Sequence, residues 1–245
     1  MELSYDGTNY HGWQNQPNAL TVQSCVENAL KTILKTNIPI YAAGRTDSGV
    51  HAIQMYVHFD FDNKLDFNKI IHDLNSFLPY DISINNIFKV KDDFHARFDA
   101  ISREYKYVIS IKKNVFDYNK AYFLHKDLDL LLMNKACQIL KNYKNFKCFS
   151  RSNSDVKTYN CDVQSANWVK SNNKITFIIK ANRFLRNMVR AIVGTMIQVG
   201  MKKINLNEFE KIITSQNRIN AGPSAPAHGL FLAKIEYPKR LLNNE

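Results

Sequence analysis

Hydrophobic residues along this chain switch between two spacings. Ile53, Met55, Val57, Phe59 and Phe61 alternate with Gln54, Tyr56, His58 and Asp60, the period-two signature of a half-buried strand. The apolar run from Ile38 to Ala43 predicts a second strand just before it, so residues 44 to 52 form a loop joining two strands. Upstream, Met1 to Tyr5 reads as a short strand, and 6–17 as a polar, aromatic, glycine-bearing loop. Thr21 then offers an N-cap to a helix whose apolar positions are Val22, Val26, Ala29, Leu30, Ile33 and Leu34. Phe67, Ile70, Ile71, Leu74, Phe77 and Leu78 mark a second amphipathic helix, stopped by Pro79, and Ile82 to Val90 reads as another strand. The first half is therefore β-α-β-β-α-β.

The second half repeats that order. Arg103 to Ile111 is a strand with Tyr105, Tyr107, Ile109 and Ile111 on one face. Leu128, Leu131, Leu132, Ile139 and Leu140 predict a helix behind Asp127. Strands over Thr158 to Val169 and Lys174 to Ala181 follow, joined at Ser171-Asn172-Asn173, and then a long apolar helix from about Arg183 to Val199, ending at Gly200. A short helix over Leu206 to Ile213 and a strand over Gly229 to Tyr237 close the chain. The class is α+β, with two ferredoxin-like halves, each an antiparallel sheet carrying helices on one face. The halves span residues 1–97 and 98–245, with no Pro/Gly/Ser-rich linker between them.

Composition narrows the function. Thirty-three Lys and Arg against 22 Asp and Glu give a net charge of +11 over 245 residues, which favours polyanionic partners such as RNA or an anionic membrane surface. No apolar run reaches the roughly 18 residues of a membrane span, and no basic-then-apolar leader opens the chain, which argues against membrane insertion and secretion. Cys25, Cys137, Cys148 and Cys161 lack paired metal spacing and read as reduced structural thiols of a cytosolic protein. The seven histidines form no HExxH-like pattern, so no metal site is expected.

The loop between the two central strands reads Gly44-Arg45-Thr46-Asp47-Ser48-Gly49-Val50-His51-Ala52. Asp-Ser-Gly alone is ordinary turn chemistry. Two glycines flanking a carboxylate, however, allow backbone conformations that present Asp47 outward. Four further stretches stand out: Tyr5-Asp6-Gly7-Thr8-Asn9-Tyr10-His11-Gly12-Trp13-Gln14; Arg103-Glu104-Tyr105-Lys106-Tyr107; Met188-Val189-Arg190-Ala191-Ile192-Val193-Gly194; and Ala225-Pro226-Ala227-His228-Gly229-Leu230-Phe231-Leu232. The first is rich in amide, hydroxyl and aromatic groups suited to RNA contact, although Tyr10 and Trp13 are as readily core residues. Tyr105 and Tyr107 share a strand face, so spacing does not choose between them. Arg183, Arg186 and Arg190 share one face of the predicted apolar helix, where a buried arginine needs a partner.

In this order the five stretches resemble the motifs of the TruA family of tRNA pseudouridine synthases: GRTDAGVHA, with Ser48 in place of alanine, YDGT-x-Y-x-GWQ, R-x-Y-x-Y, MVR-x-x-VG and APA-x-GL-x-L. The resemblance runs from Tyr5 to Leu232. It implies the pseudouridine synthase fold, with the two halves flanking a basic active-site cleft. It also implies isomerisation of uridine to pseudouridine at positions 38, 39 and 40 of the tRNA anticodon stem-loop, with no cofactor and no metal. By the same resemblance Asp47 is the catalytic nucleophile, Arg190 pairs with it, and Tyr105 stacks on the uracil and is the candidate base for the C5 proton. Leu230 lines the uracil pocket, and Arg45 with the basic cleft holds phosphates. Attack at C6 of the base or at C1′ of the ribose stays open. The family forms cytoplasmic homodimers with tRNA as partner, and no membrane is involved. Its first strand usually starts several residues before YDGT, so a truncated start or a marginally stable protein is expected here. Two other classes fit the pattern less well. A non-catalytic RNA-binding protein with RRM-like sheets would show an RNP1-type run, and a small-molecule enzyme with an aspartyl nucleophile would not require the +11 charge.

Overall fold

The computed structural model describes residues 1–152 and 156–238; the end of the expected second half, 239–245, lies outside the described residues. The chain folds as two compact units. One is Met1–Ser102 together with the segment that begins at Phe231; the other is Arg103–Leu230. A single cut near residue 97 therefore does not separate them, because the chain returns to the first unit in its last strand.

In the first unit the elements are β1 (Glu2–Tyr5), α1 (Val22–Leu34), β2 (Tyr41–Ala42), β3 (His51–His58), α2 (Phe67–Phe77) and β4 (Ile82–Asn86). β1 pairs antiparallel with β3 on one side and β4 on the other, and β2 pairs antiparallel with the far end of β3. Part of the alternation read from the sequence is observed: Met55 and Val57 turn inward with Leu3, Ile84, Val22, Val26 and Leu30 of α1 and Leu74 of α2. Ile53, expected inside, is 52% exposed, and the strand ends at His58, before Phe59 and Phe61. Glu2, Gln54 and Tyr56 face the other way and hydrogen-bond one another. Both helices start on side-chain caps. Thr21 and Ser24 exchange side-chain and backbone bonds in a capping box at α1, and Asp66 Oδ1 accepts from Lys69 N at α2. Near its start β3 carries one more residue than β1, since Leu3 faces Met55 but Tyr5 faces Ala52. Such a bulge ends regular pairing next to the loop that enters β3.

The strand predicted over Gly229 to Tyr237 is β9 (Leu230–Glu236), and it pairs parallel with the start of β3, His51 with Phe231 and Ala52 with Leu232. One edge of β3 is thus shared, β2 at its end and β9 at its beginning. The expectation of purely antiparallel pairing gives way here because the closing strand arrives from elsewhere in the chain, free of the hairpin constraint.

The second unit contains β5 (Ser102–Ser110), β6 (Tyr122–Phe123), α3 (Leu130–Lys141), β7 (Val163–Ser171), β8 (Lys174–Ala181), α4 (Met188–Gly200) and α5 (Leu206–Ser215). β8 pairs antiparallel with β5 and β7, and β6 lies parallel to the end of β5. α3 begins at Asp129, whose Oδ1 accepts from Leu132 N, so its buried face is Met133, Ala136, Cys137 and Leu140. Leu131, expected inside, is 67% exposed: at about 3.6 residues per turn it stands opposite the buried stripe of Met133, Ala136, Cys137 and Leu140. α4 is apolar almost all round and almost wholly buried, as its sequence requires. It starts at Met188, not near Arg183. Asn187 takes a left-handed backbone (φ 65°) and blocks helix propagation toward the N-terminus. Arg183 and Arg186 therefore lie in the preceding loop and do not share a helix face with Arg190. No helix among the described residues is long and apolar enough to cross a membrane.

Candidate active site

The loop from Gly44 to Val50 is fastened from beneath by the N-terminal loop, residue by residue. Trp13 N donates to Thr46 O (3.2 Å) and Gly49 N to Tyr10 O (3.3 Å), while within the loop itself Val50 N donates to Asp47 O (3.1 Å). Ser48 Oγ donates to Tyr10 O (3.2 Å), a bond that alanine, usual at this position in the family, would lack. Buried below, Tyr5 Oη and Thr46 Oγ1 are 2.8 Å apart. Gly12 (φ 91°) permits this approach, since a Cβ there would lie 2.5 Å from Thr46 O. Of the two glycines flanking the aspartate, Gly49 uses its freedom (φ 74°), whereas a Cβ on Gly44 would meet nothing. Asp47 is half-buried and Arg45 exposed.

The aromatic side chains of the N-terminal motif are core. Tyr10 and Trp13 are 3% and 2% exposed, and the Tyr10 phenol donates to Asp81. Burial and that carboxylate together push the Tyr10 phenol far up. The motif thus supports the Asp47 loop from inside, and of the two readings open for these rings, RNA contact or core, core is the one observed. His51, four residues beyond Asp47, is also buried. Its ring stacks on Phe231 (4.6 Å), and its Nδ1 lies 3.1 Å from Gly7 N and 3.0 Å from Asp6 Oδ1. Sequence reasoning missed His51, Tyr5 and Thr46 as supports, though all three lie inside the quoted motifs.

The second unit holds its own set. Tyr107 is fully buried and donates to Pro226 O at 2.9 Å, and burial drives its phenol well above the ordinary value. Tyr105, two residues earlier, is half-buried and meets Phe184 edge-on at 5.1 Å. The structure therefore separates two tyrosines that spacing left equivalent: Tyr107 is core, and Tyr105 keeps a partly open ring. Arg190, in the first turn of α4, donates from Nε to Ala225 O (2.7 Å), while its own carbonyl accepts from Ala225 N (3.0 Å). The same clasp continues through Gly222 N to Thr195 Oγ1 (2.9 Å) and Asn187 Nδ2 to Ser224 Oγ (2.6 Å). At Gly194 a Cβ would stand 1.7 Å from Pro223 O, so only glycine lets α4 lie this close to 222–226. Leu230, 6% exposed, begins β9 just beyond this segment. Arg190 and the segment leading to Leu230 are thus brought together, as Asp47 and Arg45 are in the first unit. Buried Cys137, Cys148 and Cys161 have thiols pushed up to about 12, 12 and 11, chiefly by desolvation, which removes them as nucleophiles.

The first unit thus presents Asp47 on a loop pinned on both flanks, and the second unit holds Arg190 by a backbone clasp and leaves the Tyr105 ring partly open. The class to which the chain belongs follows from comparison with known proteins. A profile of the family described as tRNA pseudouridine synthase matches residues 3–99 and 136–238. The chain is 47% identical over 241 residues to tRNA pseudouridine synthase A of Bacteroides fragilis, covering 98% of this chain and 96% of that one. It is 45% identical over 243 residues to the protein of that name from Porphyromonas gingivalis (98% and 96%). To that from Bacillus licheniformis it is 38% identical over 239 residues (96% and 97%). The chain belongs to the tRNA pseudouridine synthase family.

Proposed function

We propose that this chain isomerises uridine to pseudouridine in the anticodon stem-loop of tRNA, at positions 38, 39 and 40. It would act in the cytoplasm as a homodimer, as its family resemblance implies, with no cofactor. The observation that carries the reading is the Asp47 loop, a carboxylate displayed on a segment whose neighbours are spent on buried hydrogen bonds. In this scheme the target nucleotide flips out of its stack, and Asp47 attacks at C6 of the base or C1′ of the sugar. If C1′ is attacked, the N1–C1′ bond breaks, the uracil turns, and C5 displaces the Asp47 carboxylate from C1′. If C6 is attacked, the N1–C1′ bond breaks, C5 bonds to C1′, and Asp47 is then eliminated from C6. On either route C5 gives up its proton and N1 gains one, so Asp47 is regenerated. Tyr105 stacks on the uracil and accepts the proton leaving C5, and Leu230 walls the base pocket. Arg190, its guanidinium plane set by Nε on Ala225 O, pairs with Asp47 and favours the ionised carboxylate. Arg45 holds phosphate and supplies position rather than sequence readout.

The test is conversion of uridine to pseudouridine in tRNA with no added cofactor, read by nuclease digestion and chromatography. Asp47→Asn keeps the shape but is a far poorer nucleophile. It is expected to abolish conversion while leaving folding and tRNA affinity nearly intact. Ordinary turnover by that variant would remove Asp47 from the mechanism.

A further inference from the structure

Beside the Asp47 loop, and built wholly from the first unit, is a cavity of about 310 Å³. Its floor is Trp13 and Ile40, and its rim carries Tyr41, Arg45, Arg97 and Phe98. Two large aromatic rings are open here: Phe98 is 72% exposed and Tyr41 49%. Neither is loosely held. Tyr41 stacks on His58 at 5.1 Å, and Phe98 lies 4.2 Å from the His95 ring with the Arg97 guanidinium 5.6 Å from its centroid. The segment that carries Phe98 is tied down at both ends. His95 N donates to Asp99 Oδ2 (2.7 Å), Ala96 N to His58 Nδ1 (3.2 Å), and Tyr237 Oη to Ala96 O (2.5 Å). The one carboxylate in the wall, Glu27, already accepts from Asn15 Nδ2, Gln23 Nε2 and Ile40 N. Gln14 adds an exposed amide at the rim.

We propose that this cavity is a nucleotide subsite, in which an unpaired base next to the isomerised uridine stacks on Phe98 and Tyr41 and its phosphates lie against Arg45 and Arg97. The proposal rests on the functional reading above. Three observations carry it. Open aromatic faces on a fixed platform, flanked by guanidinium groups, are what single-stranded nucleic acid uses, because every base has a face and every linkage a charge. The volume sits at the small end of ligand pockets, roughly 300–1,000 Å³, which suits one nucleotide rather than a duplex. And Arg45 precedes Asp47 by two residues, so an occupant is a close neighbour of the nucleotide undergoing chemistry. A protein partner would find two cations at the centre of the patch, where interfaces are depleted of charge.

The experiment uses the full chain and an anticodon stem-loop RNA carrying 2-aminopurine at each unpaired position flanking the target in turn. One position should be quenched on binding to the wild type and not to Phe98→Leu, which keeps apolar bulk but has no ring. Phe98→Leu should raise KM by about 5- to 150-fold, the range expected for one stacked base, with kcat at saturating RNA unchanged, and Phe98→Tyr should restore affinity. Removing the base at the quenched position should weaken wild-type binding by the same factor and abolish the difference between wild type and Phe98→Leu. The proposal is overturned if Phe98→Leu and Tyr41→Leu both bind like the wild type, or if base removal and Phe98→Leu weaken binding additively. A change in sedimentation with RNA affinity intact also overturns it, and assigns the patch to a protein contact. Failure of the functional reading looks different: no pseudouridine forms with wild-type enzyme, whatever the stacking cycle reports.

Discussion

Tyr107→Phe tests whether the structure has sorted the two tyrosines of β5 correctly. The substitution removes one oxygen from a fully buried ring whose hydroxyl donates to Pro226 O at 2.9 Å. The ring cannot shift to compensate, because Gly229 already packs against it: a Cβ there would lie 2.7 Å from Tyr107 Cζ. Leaving a buried acceptor without its donor costs about 1–3 kcal/mol. Pro226 keeps part of its surface open, so water recovers some of that, and the lower part of the range, about 1–2 kcal/mol, is expected. For a protein of this size each kcal/mol moves the melting temperature by about 2–4 °C, so a drop of roughly 2–8 °C should appear in a calorimetric melt. Turnover below that temperature should stay within about threefold of wild type, since the lost bond is structural. Tyr105→Phe should do the reverse, with stability held within about 0.5 kcal/mol, RNA affinity kept and turnover lost if the phenolic oxygen takes the C5 proton. Unchanged stability with lost activity in Tyr107→Phe, beside a fully active Tyr105→Phe, would refute the assignment.

Arg190→Lys should be severely impaired despite its retained charge, because a lysine has no Nε to place on Ala225 O and no planar fork to orient a carboxylate; near wild-type turnover would sink the proposed Asp47–Arg190 pair. Gly194→Ala forces a methyl into Pro223 O and should destabilise by at least the roughly 1–3 kcal/mol of ordinary overpacking, measured by urea denaturation, with unaltered stability arguing against the clasp. Burial, and next the neighbouring His95, hold the His58 imidazole below its ordinary value, so the unfolded chain takes up this proton at higher pH than the folded one. The His58 contribution is therefore intact above about pH 6.5 and is lost as pH falls from there toward the lower folded value; His58→Asn should flatten the stability profile below neutrality, and an unchanged slope would show that His58 is not its source.

Much of this was legible in the sequence, and the reasons differ by element. Strong single signals survived: the alternation of Met55 and Val57 in β3, the Thr21 cap, Pro79 after α2, and Lys174 to Ala181, whose bounds are those of β8. Errors fell where a local backbone choice overrides periodicity. Arg183 and Arg186 fit a helical spacing with Arg190, yet one left-handed residue, Asn187, divides them. Leu131 is a different case: two apolar stripes compete on one helix, and the one that faces the core is Met133, Ala136, Cys137 and Leu140, which leaves Leu131 in solvent. Pairing between distant segments left no local trace, so the parallel contact of β9 with β3 could not be read from spacing. Within the motifs, burial settled what spacing left open: Tyr10 and Trp13, read equally as RNA contacts or core, are core, and of Tyr105 and Tyr107 the buried one is Tyr107.

That sorting shows how each motif is held in place within its own unit. Asp47 and Arg190, the proposed nucleophile and its proposed partner, are each held by main-chain bonds beside a backbone approach that only glycine allows, Gly12 over Thr46 O below the Asp47 loop and Gly194 of α4 over Pro223 O. A side-chain contact can be replaced by another of similar shape, but a backbone approach of this kind has no substitute once a Cβ is present. The cost of placing the reactive groups is thereby met during folding rather than at the moment of binding, which leaves RNA binding energy for unstacking the target nucleotide. It follows that alanine at Gly12 or Gly194 should depress kcat more than it weakens RNA binding, whereas changes at the exposed ring of Phe98 should do the opposite.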